Sequence, residues 1–225
     1  MTKSVSNKTI DNVTIRFAGD SGDGMQLSGG RFTQTSAVVG NDLSTLPDFP
    51  AEIRAPAGSL AGVSSYQIHF SSQEIHTPGE RPDVLVAMNP AALKVHLKDL
   101  IPGGTLIVNK NAFTKKNLSL AGYDSDPTED DSLVDYYSTH FIEMGKLVTL
   151  ACEGIDIPSK MVDRTKNLCA LGVLFWMYDR PLEPTIDWLN QKFKSKPDII
   201  EANVRALNAG YNYGDTAEIF TTKYI

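Results

Sequence analysis

The chain has 225 residues, 41% of them hydrophobic and 21% charged, which is ordinary globular usage and excludes a disordered or collagen-like polymer. Lys plus Arg number 21 against 27 Asp plus Glu, a net charge of −6. No basic run offers a phosphate backbone its counterion release, so nucleic acid is not an expected partner. The longest apolar run, Leu168 to Tyr178, has 11 residues against the roughly 20 that cross a bilayer, and the start has no apolar leader region; the sequence reads as cytoplasmic, without a membrane partner.

Residues 1–11 are polar and unpatterned and read as a flexible tail. From Asn12, the alternation of Val13, Ile15 and Phe17 with Thr14 and Arg16 predicts a strand. It runs into Gly19-Asp20-Ser21-Gly22-Asp23-Gly24, after which Met25, Leu27, Phe32, Ala37 and Val38 recur at helical spacing until Gly40 ends the segment. Residues 43–62 are rich in Pro, Gly and Ala, too irregular for an element, and read as a long loop of the kind that usually carries function. Val63–Phe70 alternates as a strand. Asp83–Met88 and Gly104–Asn109 are short continuous apolar runs, separated by a helical pattern through Leu93, Leu97 and Leu100.

Residues 122–135 carry six acids and no base and read as a solvated loop with no assigned chemistry. A strand at 136–142 leads to a helical stretch. A longer helix follows, with Pro158 near its first turn and an apolar stripe through Leu168, Leu171, Phe175 and Trp176. Helices over 185–194 and 197–209 close the pattern, the second stopped by Gly210. Strands apolar on both faces and alternating with helices predict the α/β class, a single three-layer, Rossmann-like domain with a mostly parallel sheet over residues 12–214.

The glycine loop superficially matches four machines. As a Walker loop it lacks the lysine and hydroxyl, since Met25 and Gln26 occupy those places. As a dinucleotide fingerprint it lacks the third glycine, because Leu27 stands there. As a GDSL-type hydrolase, with Ser21 as nucleophile, it lacks the late histidine, since His140 is the last. As a thiamine diphosphate motif it has Gly22-Asp23-Gly24 but no asparagine in the window 48–54, the nearest being Asn41 and Asn89.

The generic inference is that a glycine loop feeding a helix N-terminus can present N–H groups to an anion, with Asp20 and Asp23 opposing it unless they turn away. The alternative is that the glycines serve only a tight turn. Asn89, at the C-terminal end of a buried strand, is a ligand contact or a helix N-cap. Arg54, between Pro50 and Pro56, clamps an anion or holds the loop or a partner. The four histidines show no metal-ligand spacing, and Cys152 and Cys169 lie 17 apart without a C-x-x-C, so no metal or iron–sulfur site and no catalytic residue is assigned.

Longer strings carry a more specific signal: Phe17-Ala-Gly-Asp-Ser-Gly-Asp-Gly-Met-Gln-Leu, Phe49-Pro-Ala-Glu-Ile-Arg-Ala-Pro-Ala-Gly58, Leu85-Val-Ala-Met-Asn-Pro-Ala-Ala-Leu93, Val162-Asp-Arg-Thr-Lys-Asn-Leu and Ala209-Gly-Tyr-Asn-Tyr-Gly214. In order, and over nearly the whole chain, they resemble the N-terminal, gamma-type domain of 2-oxoacid:ferredoxin oxidoreductases, most of all that of the alpha subunit of the 2-oxoglutarate enzyme. The resemblance implies a module of an enzyme that decarboxylates a 2-oxoacid with coenzyme A, giving acyl-CoA and CO2. The complete enzyme is implied to use thiamine diphosphate, magnesium, 4Fe–4S clusters and CoA.

By the same resemblance, residues 215–225 begin a linker toward a pyrimidine-binding domain, a beta subunit and ferredoxin are the further partners, and this chain alone holds no cofactor and is inactive. The gamma-type domain is implied to serve CoA binding and assembly, through Gly19, Asp20, Ser21, Gly22, Asp23, Gly24, Arg54 and Asn89. Asn167 is implied to be a buried interface or anchoring residue. The alternative is a free-standing nucleotide-binding or GDSL-like hydrolase α/β protein.

Overall fold

The computed structural model describes residues 6–52, 55–217 and 222–224. In chain order the elements are β1 (Ser6–Lys8), β2 (Asn12–Asp20), α1 (Met25–Val38), β3 (Asp42–Asp48), β4 (Val63–Ser71), β5 (Val84–Ala87), α2 (Pro90–His96), β6 (Thr105–Asn109), α3 (Lys115–Leu120) and α4 (Ser132–Tyr136). They continue with β7 (Ser138–Ile142), α5 (Met144–Ala151), α6 (Ser159–Arg164), α7 (Lys166–Met177), α8 (Glu183–Lys192), α9 (Pro197–Thr216) and β8 (Thr222–Tyr224). Two compact units result. One comprises Asn12–Thr33 with Asn41–Glu143, the other Met1–Asp11, Gln34–Gly40 and Met144–Ile225.

The first unit is built on a six-stranded sheet in the order β3-β4-β2-β5-β6-β7. β2, β5, β6 and β7 run parallel, β4 adds to β2 as an antiparallel neighbour, and β3 pairs antiparallel with β4 at the edge. The α/β class and the mostly parallel sheet thus stand as the sequence predicts. Continuous apolar runs make the central strands because both of their faces are buried: Ala18, Leu85, Ala87, Leu106 and Val108 pack with Ala91, Leu93, Leu100, Phe113 and Leu118. The intervening positions bury Ile15, Phe17, Val86 and Ile107 completely, and Phe32 of α1 bridges Phe17 and Phe70 at ring-centroid distances of 6.3 and 5.4 Å.

Segment 43–62 is not wholly irregular, as the sequence suggested. Its first residues form β3, in register with β4 from Asp42↔Ser71 to Asp48↔Ser65. An edge strand can keep exposed positions on both faces and tolerate Pro47, so it leaves no alternating apolar signature. Within the acidic stretch, residues 132–136 form the short helix α4 rather than open loop.

In the second unit, α7 is buried from Asn167 through Met177, which is why its sequence is apolar all round. The helix anticipated after Pro158 is two helices, α6 and α7, divided at Thr165. Gly210 does not stop α9, which runs on to Thr216. Its purpose is close approach: a Cβ there would lie 1.9 Å from the Cys169 carbonyl oxygen, and one at Gly172 would lie 2.1 Å from that of Leu207. Trp176 Nε1 donates to Asp215 Oδ1 at 3.0 Å, joining the same two helices further along. Ser6–Lys8 and Thr222–Tyr224 pair as a short parallel ladder, so part of the polar N-terminal stretch is in a strand. Among the described residues, no helix is long and apolar enough to cross a membrane.

The helix-pair geometry makes Gly210→Ala destabilising by about 2–3 kcal/mol through overpacking. Gly30→Ala in α1, where a Cβ meets nothing within 4 Å, should stabilise by roughly 0.5–1 kcal/mol. Urea denaturation of the two variants checks the opposite signs.

Candidate functional site

The glycine loop leaves the C-terminal end of β2, flanked in the sheet by β4 and β5. In open α/β sheets that edge, beyond the carboxyl ends of the parallel strands, is where ligands bind. α1 holds the far side of the loop. It sits so close to β4 that a Cβ on Gly29 would meet the Tyr66 ring at 2.1 Å, and Gln26 Nε2 donates to Ser65 O at 2.9 Å and to Ser64 Oγ at 3.2 Å. Gly24 adopts φ +76°, a conformation that favours glycine at the entry to α1.

Within the loop the two acids turn toward backbone. Asp23 Oδ2 accepts from Asp20 N–H at 3.0 Å, and Asp23 N–H donates to Asp20 O at 2.9 Å, closing a tight turn. Asp20 Oδ2 accepts from Gly58 N–H at 2.8 Å, and Ser21 N–H donates to Gly62 O at 3.1 Å, so the loop before β4 is bonded to the glycine loop at two points. Gly58 is itself at φ +85°. The Pro and Gly content of this loop and the string ending at Gly58 are visible in the sequence; the bonds that Gly58 and Gly62 make to the glycine loop are not.

Asp20 Oδ1 is buried without a hydrogen-bond partner. Burial pushes the Asp20 carboxyl above its ordinary value, while the Gly58 N–H and the neighbouring Asn89 amide oppose the rise. Asn89 is the N-cap of α2, its Oδ1 accepting from Ala92 N–H at 2.8 Å, so the cap reading of this residue holds and the same side chain also neighbours Asp20. The structure therefore brings Gly19, Asp20, Ser21, Gly22, Asp23, Gly24 and Asn89 to one sheet edge. Arg54 lies outside the described residues.

The N–H groups of Asp20, Ser21 and Asp23 are spent within the protein, so the loop is not an open cradle of successive donors. What it offers outward is Ser21 and Gly22, both exposed, with no atom within 4 Å of a Cβ placed on Gly22. The Asp23 carboxylate is committed to the loop, and among the described residues no group of His, Cys, Asp or Glu could hold a metal ion, so the loop does not fit a magnesium diphosphate. The two cysteines of the chain, both buried in the helical unit, are too few for the four thiolates of a cluster. Nor is Ser21 armed as a nucleophile. His69, His96 and His140 bond to Thr77, Arg16 and Ser138, and His76 lies beside Asp42.

A family model described as pyruvate ferredoxin/flavodoxin oxidoreductase matches residues 14–213. The 2-oxoglutarate oxidoreductase subunit KorA of Mycobacterium tuberculosis is 55% identical over 215 residues, 96% of this chain and 33% of that protein. The chain thus spans about a third of the length of that relative. Among solved structures, 2-oxoglutarate:ferredoxin oxidoreductase from Magnetococcus marinus, with 2-oxoglutarate, coenzyme A and succinyl-CoA bound, superposes with a TM-score of 0.71 at 24% identity, covering 92% of this chain and 31% of that one. The gamma subunit of a keto/oxoacid ferredoxin oxidoreductase from Geobacter sulfurreducens gives 0.62 at 17% identity, over 92% of this chain and 99% of that one. At these identities the two structures show the fold.

Because Asp20 holds its proton more tightly when folded, its ionisation weakens the native state as pH rises through the raised value. Asp20→Asn, which keeps an acceptor for Gly58, should be more stable than the parent at neutral pH. The gain should stay under about 1 kcal/mol, because solvent screens a half-exposed group, and it should vanish below the ordinary value of 3.8. Chemical denaturation across pH measures this.

Proposed function

Because the chain belongs to the pyruvate ferredoxin/flavodoxin oxidoreductase family, we propose that residues 12–214 are the gamma-type module of a 2-oxoglutarate:ferredoxin oxidoreductase. The observation that carries the substrate is the 55% identity to KorA across 96% of the chain. The complete enzyme would convert 2-oxoglutarate and CoA to succinyl-CoA and CO2, passing two electrons to ferredoxin. Thiamine diphosphate with magnesium would supply the carbanion chemistry, and 4Fe–4S clusters the electron path. This chain's loop and cysteines do not suit those groups; in this reading a pyrimidine-binding domain and a beta subunit hold them, and residues 215–225 would lead toward the former.

The part proposed for this chain is a CoA-facing and subunit-facing surface. Asp20 and Asp23, turned onto backbone donors, keep their charges from opposing a diphosphate as squarely as the sequence alone suggests. Ser21 and Gly22 would then line the approach, with Asn89 behind them and Arg54 supplying the guanidinium that clamps a phosphate or carboxylate. With three loop N–H groups already committed, CoA affinity in the 225-residue chain alone should be weak, and the loop should count only in the assembled enzyme.

Gly22→Val tests the reading without threatening the fold, because a side chain there enters open space. In the assembled enzyme the variant should raise the CoA KM about tenfold, roughly 1.4 kcal/mol, and leave kcat nearly intact. A folded, assembled variant with unchanged CoA KM would remove the loop from the CoA site.

A further inference from the structure

The connection from β3 to β4 ends in a strap, residues 55–62, of sequence Ala-Pro-Ala-Gly-Ser-Leu-Ala-Gly. Its one polar side chain is Ser59, whose Oγ is buried without a hydrogen-bond partner. The strap is therefore held through its backbone. Turns close it on itself, with Ser59 N–H on Pro56 O and Gly62 N–H on Ser59 O, each at 3.1 Å. Apart from the turn into β4, its hydrogen bonds beyond this connection are two among the described residues: Gly58 N–H to Asp20 Oδ2 at 2.8 Å, and Ser21 N–H to Gly62 O at 3.1 Å. Both reach adjacent residues where β2 passes into the glycine loop. Gly58 is the tight point. It is buried at φ +85°, and a Cβ built on it would lie 3.5 Å from Leu120 Cδ1, so the strap runs between the end of β2 and α3.

Asp20 is closed to a ligand. Its Oδ2 is taken by Gly58, its Oδ1 is buried, and a carboxylate opposes a phosphate. Burying Oδ1 without a partner costs free energy. What the charge supplies in return is a charge-assisted hydrogen bond, stronger than one to a neutral acceptor. The segment so held borders the exposed Ser21 and Gly22. Within the CoA-facing reading of this sheet edge, on which the inference rests, we infer that Asp20 is a positioning residue: its carboxylate, through Gly58 N–H, fixes the strap as one wall of the site, and it acts on the ligand only through that wall.

Two measurements on the same variants test this. Amide hydrogen exchange in the 225-residue chain reads the strap, and the CoA KM of the assembled enzyme reads the site. Asp20→Ala should speed exchange at Gly58 and raise the CoA KM about fivefold, the scale of one hydrogen bond. The 2-oxoglutarate KM, which a general defect would also move, should stay within about twofold. Asp20→Asn, which keeps an acceptor for Gly58, should restore both the slow exchange and most of the CoA affinity. Gly58→Ala has room for its Cβ but strains φ, and it should raise the CoA KM with Asp20 intact; this variant decides the matter if Asp20→Ala does not assemble. A CoA KM that neither Asp20→Ala nor a folded Gly58→Ala moves, while Gly22→Val raises it, would overturn the inference and leave the CoA reading standing. A CoA KM unmoved by all three would remove both. Asp20→Asn that protects Gly58 without restoring the CoA KM would also overturn it, by placing the charge itself on the ligand.

Discussion

A single hydrogen bond, from Gly58 N–H to the half-buried Asp20 carboxylate, ties together the parts of this molecule on which the functional reading depends. Asp20 is the last residue of β2, a strand paired on both sides, so its position is set by the sheet. Gly58 belongs to a loop with little regular structure of its own. The bond between them, with Ser21 N–H on Gly62 O beside it, converts that loop from a free excursion into a wall of the sheet edge. Burial of the carboxylate is the cost, visible as an Oδ1 without a partner and a carboxyl that clings to its proton. Such conflicts between local rule and observed structure concentrate where function lies.

The parallel core was legible because it obeys one rule. Asp83–Met88 and Gly104–Asn109 are apolar on both faces, and only a strand covered on both sides needs that. β3 was illegible for the complementary reason: at the sheet edge nothing demands an apolar alternation, and Pro47 is tolerated. Gly210 misled because glycine serves two purposes. As a helix stop it frees φ; here it removes a Cβ from the crossing of α7 and α9, a need that no local pattern reveals. Arg16, read as the polar face of β2, has a nearly buried side chain that donates to Gln67 Oε1 at 2.7 Å and pairs with Asp99. Long-range partners of that kind are invisible to spacing.

The site was half legible. The glycines, Asn89 and the importance of the long loop follow from strand-to-helix chemistry. The inward turn of Asp20 and Asp23 does not, because their acceptors' partners lie on the loop itself and 38 residues downstream. That turn also separates this loop from the thiamine motif it mimics: a carboxylate already satisfied by backbone donors is a poor magnesium ligand.

The account rests on this chain being a part of an enzyme rather than an enzyme by itself. Anaerobic assays of 2-oxoglutarate-driven viologen reduction, with and without CoA, should be run on the 225-residue chain and on the complete assembled enzyme, beside ester and ATP hydrolysis by the chain. The account predicts CoA-dependent reduction by the assembly and no turnover of any kind by the chain alone. Ester or ATP hydrolysis by the isolated chain that disappears in Ser21→Ala would contradict it.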